Sequence, residues 1–315
     1  MRHLLSIADL SREDIERLLG VADSFAEVVE RDVKKVPTLR GRTIVNLFYE
    51  ASTRTSSSFE LAAKRLSADV VSVRSSGSSV DKGESLRDTI ATLSAYDPAA
   101  IVIRAPWAGA AALVARHTPA SVVNAGDGKH EHPSQALLDV FTLKRKLGSL
   151  DGLRIWIVGD VLHSRVARSN VLAFSRMGAE VTVCGPPTLI PRDVETLGCK
   201  LSYDIAGLHE ADVVYAHRMQ RERMNGEPGV SLREYVSRFQ VDGRRLEPRQ
   251  LLMHAGPINR GVELAAEVID SPQSLIVDQV ASGLVVRMAI LYDLLAGGGD
   301  SAGDRSGTPS ERIPA

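Results

Sequence analysis

The chain has 315 residues, 44% of them hydrophobic, with 38 Lys and Arg against 39 Asp and Glu for a formal net charge of −1. Near-balanced, dispersed charge leaves no one-signed footprint for a nucleic-acid backbone or an anionic membrane surface, so a small-molecule partner is expected. The length suits two medium cores. No apolar run approaches the roughly 20 residues of a membrane span, and the start MRHLLSIADLSREDIERLL lacks the pattern of a secretory leader, so a cytoplasmic protein is expected.

In chain order, Ser11 with Glu13 and Asp14 behind it caps a first helix to about Glu30, and Thr43–Tyr49 (TIVNLFY) reads as a buried strand. After Ser52 a helix to about Leu66 leads into the strand DVVSVRS. A helix from Glu84 to about Tyr96, the strand AIVIR, the short helix AGAAALVARH and the strand SVVNAG follow, and a long helix runs from Pro133 to Gly148. A second series has strands at LRIWIVGD, AEVTVCG, ADVVYAHR, LLMHAG and SLIVDQ, with a last helix from about Leu284 to Leu295. Strands alternating with helices imply right-handed crossovers, hence an α/β chain of two doubly wound parallel-sheet domains. The stretch after Gly297 lacks apolar content and reads as a disordered tail, 297–315. Cys184 and Cys199 form no CxxC pair and read as small buried hydrophobes.

In open sheets of this kind ligands sit at the carboxyl ends of strands, so the residues after each apolar run carry the interest. Ser52-Thr53-Arg54-Thr55 lies between a buried strand and a helix. Unpaired backbone N–H groups, hydroxyls and a guanidinium make an anion site, although an ordinary capped helix beside a surface arginine fits the same four residues. Lys82, in the loop Ser79–Glu84, reads equally as a solvated turn, and Arg104 at the end of AIVIR as a structural pair. His130 and His132 lack companions at a zinc spacing, so no metal is expected. Arg165 follows the strand IWIVGD, and Arg218-Met219-Gln220-Arg221-Glu222-Arg223 follows ADVVYAH. Taken singly these are charged faces; jointly, cations at strand ends of two domains fit a polyanionic reactant pair. The turn after IWIVGD lacks GxGxxG, and no GxxxxGK[ST] is present, so any phosphate falls to the Ser-Thr-Arg-Thr turn.

At this point the chain resembles the aspartate and ornithine transcarbamoylase family, from its first helix to about Ala296. The resemblance is carried by FYEASTRTSSSFE, KGES, IRAP, HEHPSQALLD and HAGP in that order, and the RxQxER run from Arg218 to Arg223 is similar to the aspartate branch. It implies carbamoyl transfer from carbamoyl phosphate to the amine of an amino acid, aspartate first, in pyrimidine synthesis, with no cofactor. It also implies a carbamoyl-phosphate domain over 1–133, an amino-acid domain over 134–283, and a helix 284–296 packed back on the first.

By the same resemblance, Ser52, Thr53, Arg54 and Thr55 hold phosphate, and Arg104 reaches phosphate and carbamoyl oxygen. Thr55, Arg104 and His132 polarise the carbonyl, Gln135 holds the carbamoyl amide, and Gly256-Pro257 approaches it, with a cis bond expected before Pro257. Arg165, Arg218 and Gln220 bind the acceptor. Lys82, accompanied by Ser79, enters from a neighbouring chain of a homotrimer with shared sites, and Glu50 latches onto Arg165 and Arg223. A regulatory partner is left open. Ser56, Ala105, His217 and Ala255 depart from the family pattern and raise two alternatives, a transferase for another amine and a silent carbamoyl-phosphate-binding subunit.

Overall fold

The computed structural model describes residues 1–74, 83–224 and 229–296. Helix α1 (Arg12–Glu30) starts at a reciprocal cap in which the Ser11 hydroxyl accepts from the Asp14 N–H and the Asp14 carboxylate accepts from the Ser11 N–H, an arrangement worth about 1 kcal/mol. β1 (Thr43–Phe48), α2 (Thr53–Arg65), β2 (Asp69–Arg74), α3 (Leu86–Ser94), β3 (Ala100–Ala105), α4 (Ala110–Arg116) and β4 (Ser121–Asp127) follow. The four strands form a parallel sheet of order β2-β1-β3-β4. Alternate residues of β1 enter different apolar clusters, Ile44 and Phe48 with α1 and α2, Val45 and Leu47 with α3 and α4. Burial on both faces is why TIVNLF carries apolar residues at both odd and even positions rather than alternating, with Asn46 the one polar residue inside the run.

α5 (Pro133–Leu147) leads to β5 (Arg154–Gly159), α6 (Arg165–Arg176), β6 (Glu180–Cys184), β7 (Lys200–Ser202), β8 (Val213–His217), α7 (Leu232–Phe239), β9 (Leu251–Met253), α8 (Ala266–Ile269) and α9 (Ile276–Leu295). The second parallel sheet has the order β7-β6-β5-β8-β9. In each sheet the chain winds outward from one strand and returns to that strand's other side, which opens a crevice beyond β1 and β3 and another beyond β5 and β8. Ser52 follows β1 and Arg104 stands at the carboxyl end of β3, while Arg165 and Arg218 follow β5 and β8.

α5 packs on β4, α1 and α9 and also on α6, so one helix joins the two sheets. α9 lies against α1, α2 and α5, with Tyr292 edge-on to Phe25 at 5.7 Å and Asp293 paired with Arg17. The strand expected at SLIVDQ is not formed: from Ile276 onward these residues are the first turns of α9. Its β-branched run imitates a strand, but Val277 and Val280 are exposed while Leu275, Gln279, Ser282 and Gly283 are buried, a spacing of three to four that only a helix satisfies. The expected start at Leu284 is therefore two turns late. β7 and α6–α8 complete the second half, where the strand pattern alone did not mark them.

Cys184 and Cys199 are free and buried, and burial pushes their thiols up to about 12 and about 11, so neither is a thiolate near neutral pH. Among the described residues no helix is long and apolar enough to cross a membrane. The tail 297–315, Ser79 and Lys82 lie outside the described residues.

Candidate active site

Ser52 is the extended N-cap residue of α2, and its hydroxyl makes no cap bond. The hydroxyl and the first N–H groups of α2 are thus open to an anion, as helix starts without a side-chain cap generally are. Thr55 is buried on the next turn, with its Oγ1 accepting from Nη1 of Arg104 at 3.4 Å. Arg54 reaches across to the second half: a Cβ built on Gly256 would stand 2.6 Å from its Nη2, so the guanidinium lies on the bare backbone there. Gly256 has φ +64, and the Gly256–Pro257 bond is cis, as expected. Burial and then the charge of Arg218 lower the pKa of Arg54, which brings the first-half and second-half arginines within each other's field. Two guanidinium groups held this way repel, and an anion between them relieves the repulsion.

Glu50 draws three arginines together. It lies 2.5 Å from Nη2 of Arg165, 3.5 Å from Nε of Arg104 and 3.4 Å from Nη2 of Arg223. Arg223 also donates to the carbonyls of Gly128 and His163, and Arg165 to that of Ala105. The last contact uses a backbone oxygen, so it does not depend on which side chain stands at position 105. Burial, with Arg165 and Arg223 nearby, brings Arg104 down to about 9, still protonated at neutral pH.

His132 caps α5 in front of Pro133 and is buried, its N–H donating to Ser169 Oγ at 2.9 Å. Burial first, and then Arg104, Arg165 and Arg287, hold its pKa well below 6.5, so it serves as a neutral imidazole. One turn on, Gln135 donates Nε2–H to Asp139 Oδ1 at 3.0 Å. In the second half, Arg218 is gripped by Glu222, and the Gln220 N–H donates to Asp160 Oδ2 at 2.9 Å. His217 is buried, stacked on Tyr215 at 4.9 Å and bonded through Nδ1 to Ser164 at 3.2 Å.

The structure thus joins Arg104, Arg165 and Arg223 at Glu50, with Thr55 on Arg104, and sets Arg54 against Gly256 within the field of Arg218. Among the described residues no group of three or more His, Cys, Asp or Glu could hold a metal. Asp139 went unassigned in the sequence, although its place four residues after Gln135, one helical turn on, was a signal. Gln279, which ties Asp139 to α9, lies in the segment SLIVDQ that the sequence presents as a strand.

Residues 2–145 match the model for the aspartate/ornithine carbamoyltransferase carbamoyl-P binding domain, and residues 151–294 that for the Asp/Orn binding domain. The chain belongs to the aspartate/ornithine carbamoyltransferase family. It is 54% identical over 314 residues to the aspartate carbamoyltransferase catalytic subunit of Acidothermus cellulolyticus, covering 98% of this chain and 97% of that one. With the Salinispora arenicola catalytic subunit it shares 56% over 304 residues, 94% and 99% of the two chains. The crystal structure of Trypanosoma cruzi aspartate transcarbamoylase with N-(phosphonacetyl)-L-aspartic acid superposes with a TM-score of 0.84 at 31% identity, covering 94% and 96%. Pyrococcus furiosus ornithine carbamoyltransferase gives 0.84 at 29%, covering 94% and 97%, so overall shape does not separate the two branches.

Proposed function

We propose that this chain transfers the carbamoyl group of carbamoyl phosphate to the α-amine of L-aspartate, releasing N-carbamoyl-L-aspartate and phosphate for pyrimidine synthesis. The observation that carries the reading is the contact of Arg54 with the backbone of Gly256, which sets the anion cradle of the first half against the second half and within the field of Arg218. Carbamoyl phosphate and aspartate are both anionic, and only converging cations hold them side by side. The RxQxER run and relatives of 54–56% identity, all aspartate enzymes, favour aspartate over ornithine.

The amine nitrogen attacks the carbamoyl carbon, the bond to the phosphate oxygen breaks, and the leaving phosphate takes the amine proton. Negative charge grows on the carbonyl oxygen, where Thr55, Arg104 and neutral His132 are the donors. Ser52, Thr53, Arg54 and Thr55 hold the phosphate, Gln135 and Gly256-Pro257 the carbamoyl end, and Arg165, Arg218 and Gln220 the aspartate carboxylates. Positioning of the reactants supplies much of the rate. Following the family, Lys82 and Ser79 of a neighbouring chain complete each site in a homotrimer, acting in the cytoplasm. The domains divide as 1–133 and 134–283, with the carboxyl-terminal part of α9 assigned to the first.

Steady-state assays of the purified chain with carbamoyl phosphate and either L-aspartate or L-ornithine test the proposal. Saturable formation of N-carbamoyl-L-aspartate is expected; its absence, or a preference for ornithine, overturns it. No observation favours the other two readings: His217 packs on Tyr215, and Ala105 contributes its backbone.

A further inference from the structure

Asp139 is fully buried on α5 and accepts four hydrogen bonds. Its Oδ1 takes Nε2–H of Gln135 at 3.0 Å and of Gln279 at 2.7 Å; its Oδ2 takes Nδ2–H of Asn170 at 3.0 Å and the hydroxyl of Tyr215 at 2.8 Å. The donors come from α5, α9, α6 and β8, so the carboxylate stands where the two halves join. A carboxylate at this position has one consequence for amides: each must turn its nitrogen inward and its oxygen outward. For Gln279 the choice is made twice over, because its Oε1 accepts the backbone N–H of His254 at 2.9 Å, a group that can only donate. For Gln135 the outward Oε1 accepts no hydrogen bond among the described residues and is free to accept one.

We propose that Asp139 is a positioning residue for substrate selection: by holding the amide nitrogen of Gln135 it fixes that residue's carbonyl oxygen as the acceptor offered to the carbamoyl NH2, so that the site takes a donor bearing NH2 over the matching one bearing CH3. The inference rests on the carbamoyl-phosphate reading above. A freely turning amide would present its own NH2 to the substrate's NH2 part of the time, whereas an amide locked from behind presents only an acceptor. A methyl group leaves that acceptor buried without a donor, which costs about tenfold or more in binding.

The test compares two phosphonates that need no acceptor amine, phosphonoacetamide, which ends in NH2, and acetonylphosphonate, which ends in CH3, by calorimetry on the full chain. The unaltered protein should prefer phosphonoacetamide at least tenfold. Asp139→Leu removes the lock and should bring the ratio close to one, while acetonylphosphonate affinity, set by the phosphate cradle, changes little. Asp139→Asn should restore the preference. Its oxygen stays on Gln135 and on Gln279, which His254 prevents from turning, while its NH2 faces Tyr215, whose hydroxyl rotates, and Asn170, whose Oδ1 has no partner and can turn to accept. A residue needed only for stability would leave the ratio unaltered in every folded variant.

If Asp139→Leu does not fold, the side-chain amide signal of Gln135 in nitrogen-15-labelled protein, assigned by its loss in Gln135→Met, decides: protection from solvent exchange is expected, and exchange at the rate of a free amide overturns the proposal. An unchanged ratio in Asp139→Leu, or no preference in the unaltered protein, also overturns it. Preference for phosphonoacetamide without aspartate carbamoylation would sink the proposed function and leave this inference standing. Carbamoylation with an unchanged Asp139→Leu ratio would do the reverse.

Discussion

The guanidinium of Arg54, on the first turn of α2, rests on the backbone of Gly256, which belongs to the other half of the molecule and has φ +64. Gly256→Ala should therefore act twice, through a Cβ in a conformation that costs an L-residue about 1–2 kcal/mol and through displacement of Arg54. We expect kcat/KM to fall by roughly a hundredfold, the scale of a misplaced binding group, with only a few degrees lost in Tm. A variant with normal kinetics would separate Arg54 from the reaction.

Glu50→Gln removes the negative charge shared by Arg104, Arg165 and Arg223. Loss of roughly 2 kcal/mol should lower Tm by about 5 °C in the ligand-free protein. N-(phosphonacetyl)-L-aspartate should recover most of that deficit, since its own anionic groups replace the missing charge among the arginines. A melting curve with no recovery on saturation would count against a common anion site.

For Arg218→Ala, KM for aspartate should rise at least tenfold, the loss of a charge-assisted hydrogen bond, while the affinity for carbamoyl phosphate stays within about threefold. Equal damage to both would remove Arg218 from the acceptor site. Glu222, its present partner, is expected to be exchanged for the substrate carboxylate.

Mixed trimers test the shared site. Lys82→Ala and Arg54→Ala chains, each inactive alone, should regain activity on mixing, because some sites then draw Lys82 from one chain and Arg54 from the other. Absence of recovery in assemblies shown to exchange chains would confine each site to one chain.

Burial first, and His254 second, lower His217 from 6.5 to about 3, so the folded chain keeps it neutral while the unfolded chain takes up a proton below 6.5. Its stabilising contribution is whole above pH 6.5 and is lost as the pH falls toward about 3. His217→Phe, which keeps a ring against Tyr215, should make Tm fall less steeply between pH 7 and about 4.5. Parallel slopes for the two proteins would refute this.

Local order in the chain exposed most of the architecture. Runs such as TIVNLF and RIWIVG have the length, β-branched content and flanking turns typical of buried parallel strands, and Ser11 with Asp14 marks a helix start on its own. SLIVDQ failed because β-branched residues on the exposed side of a helix resemble a strand until burial is known. In the site, Thr55, Arg104, His132 and Arg165 were readable as residues at strand ends or helix starts. The contact of Arg54 with Gly256 was not, since about 200 residues separate them and only the packing of α5 and α9 between the halves brings them together. Asp139 was hidden for another reason: a carboxylate inside a helix looks like a solvated side chain until its four donors are seen.

The principal apolar cluster is not divided between the two sheets. It runs from Leu4 and α1 through Phe141 of α5 to Phe174 of α6 and Val183 of β6, and closes on Leu291 of α9. Each sheet keeps a smaller cluster of its own on its other face, but the shared one belongs to neither lobe alone, and severing the chain near Ser149 would strip the oily flank of α5 from one fragment and expose it on the other. Heat or denaturant should dismantle both lobes in a single cooperative event, so that damage to a side chain remote from the cleft, anywhere along that shared seam, erodes the whole catalyst at once.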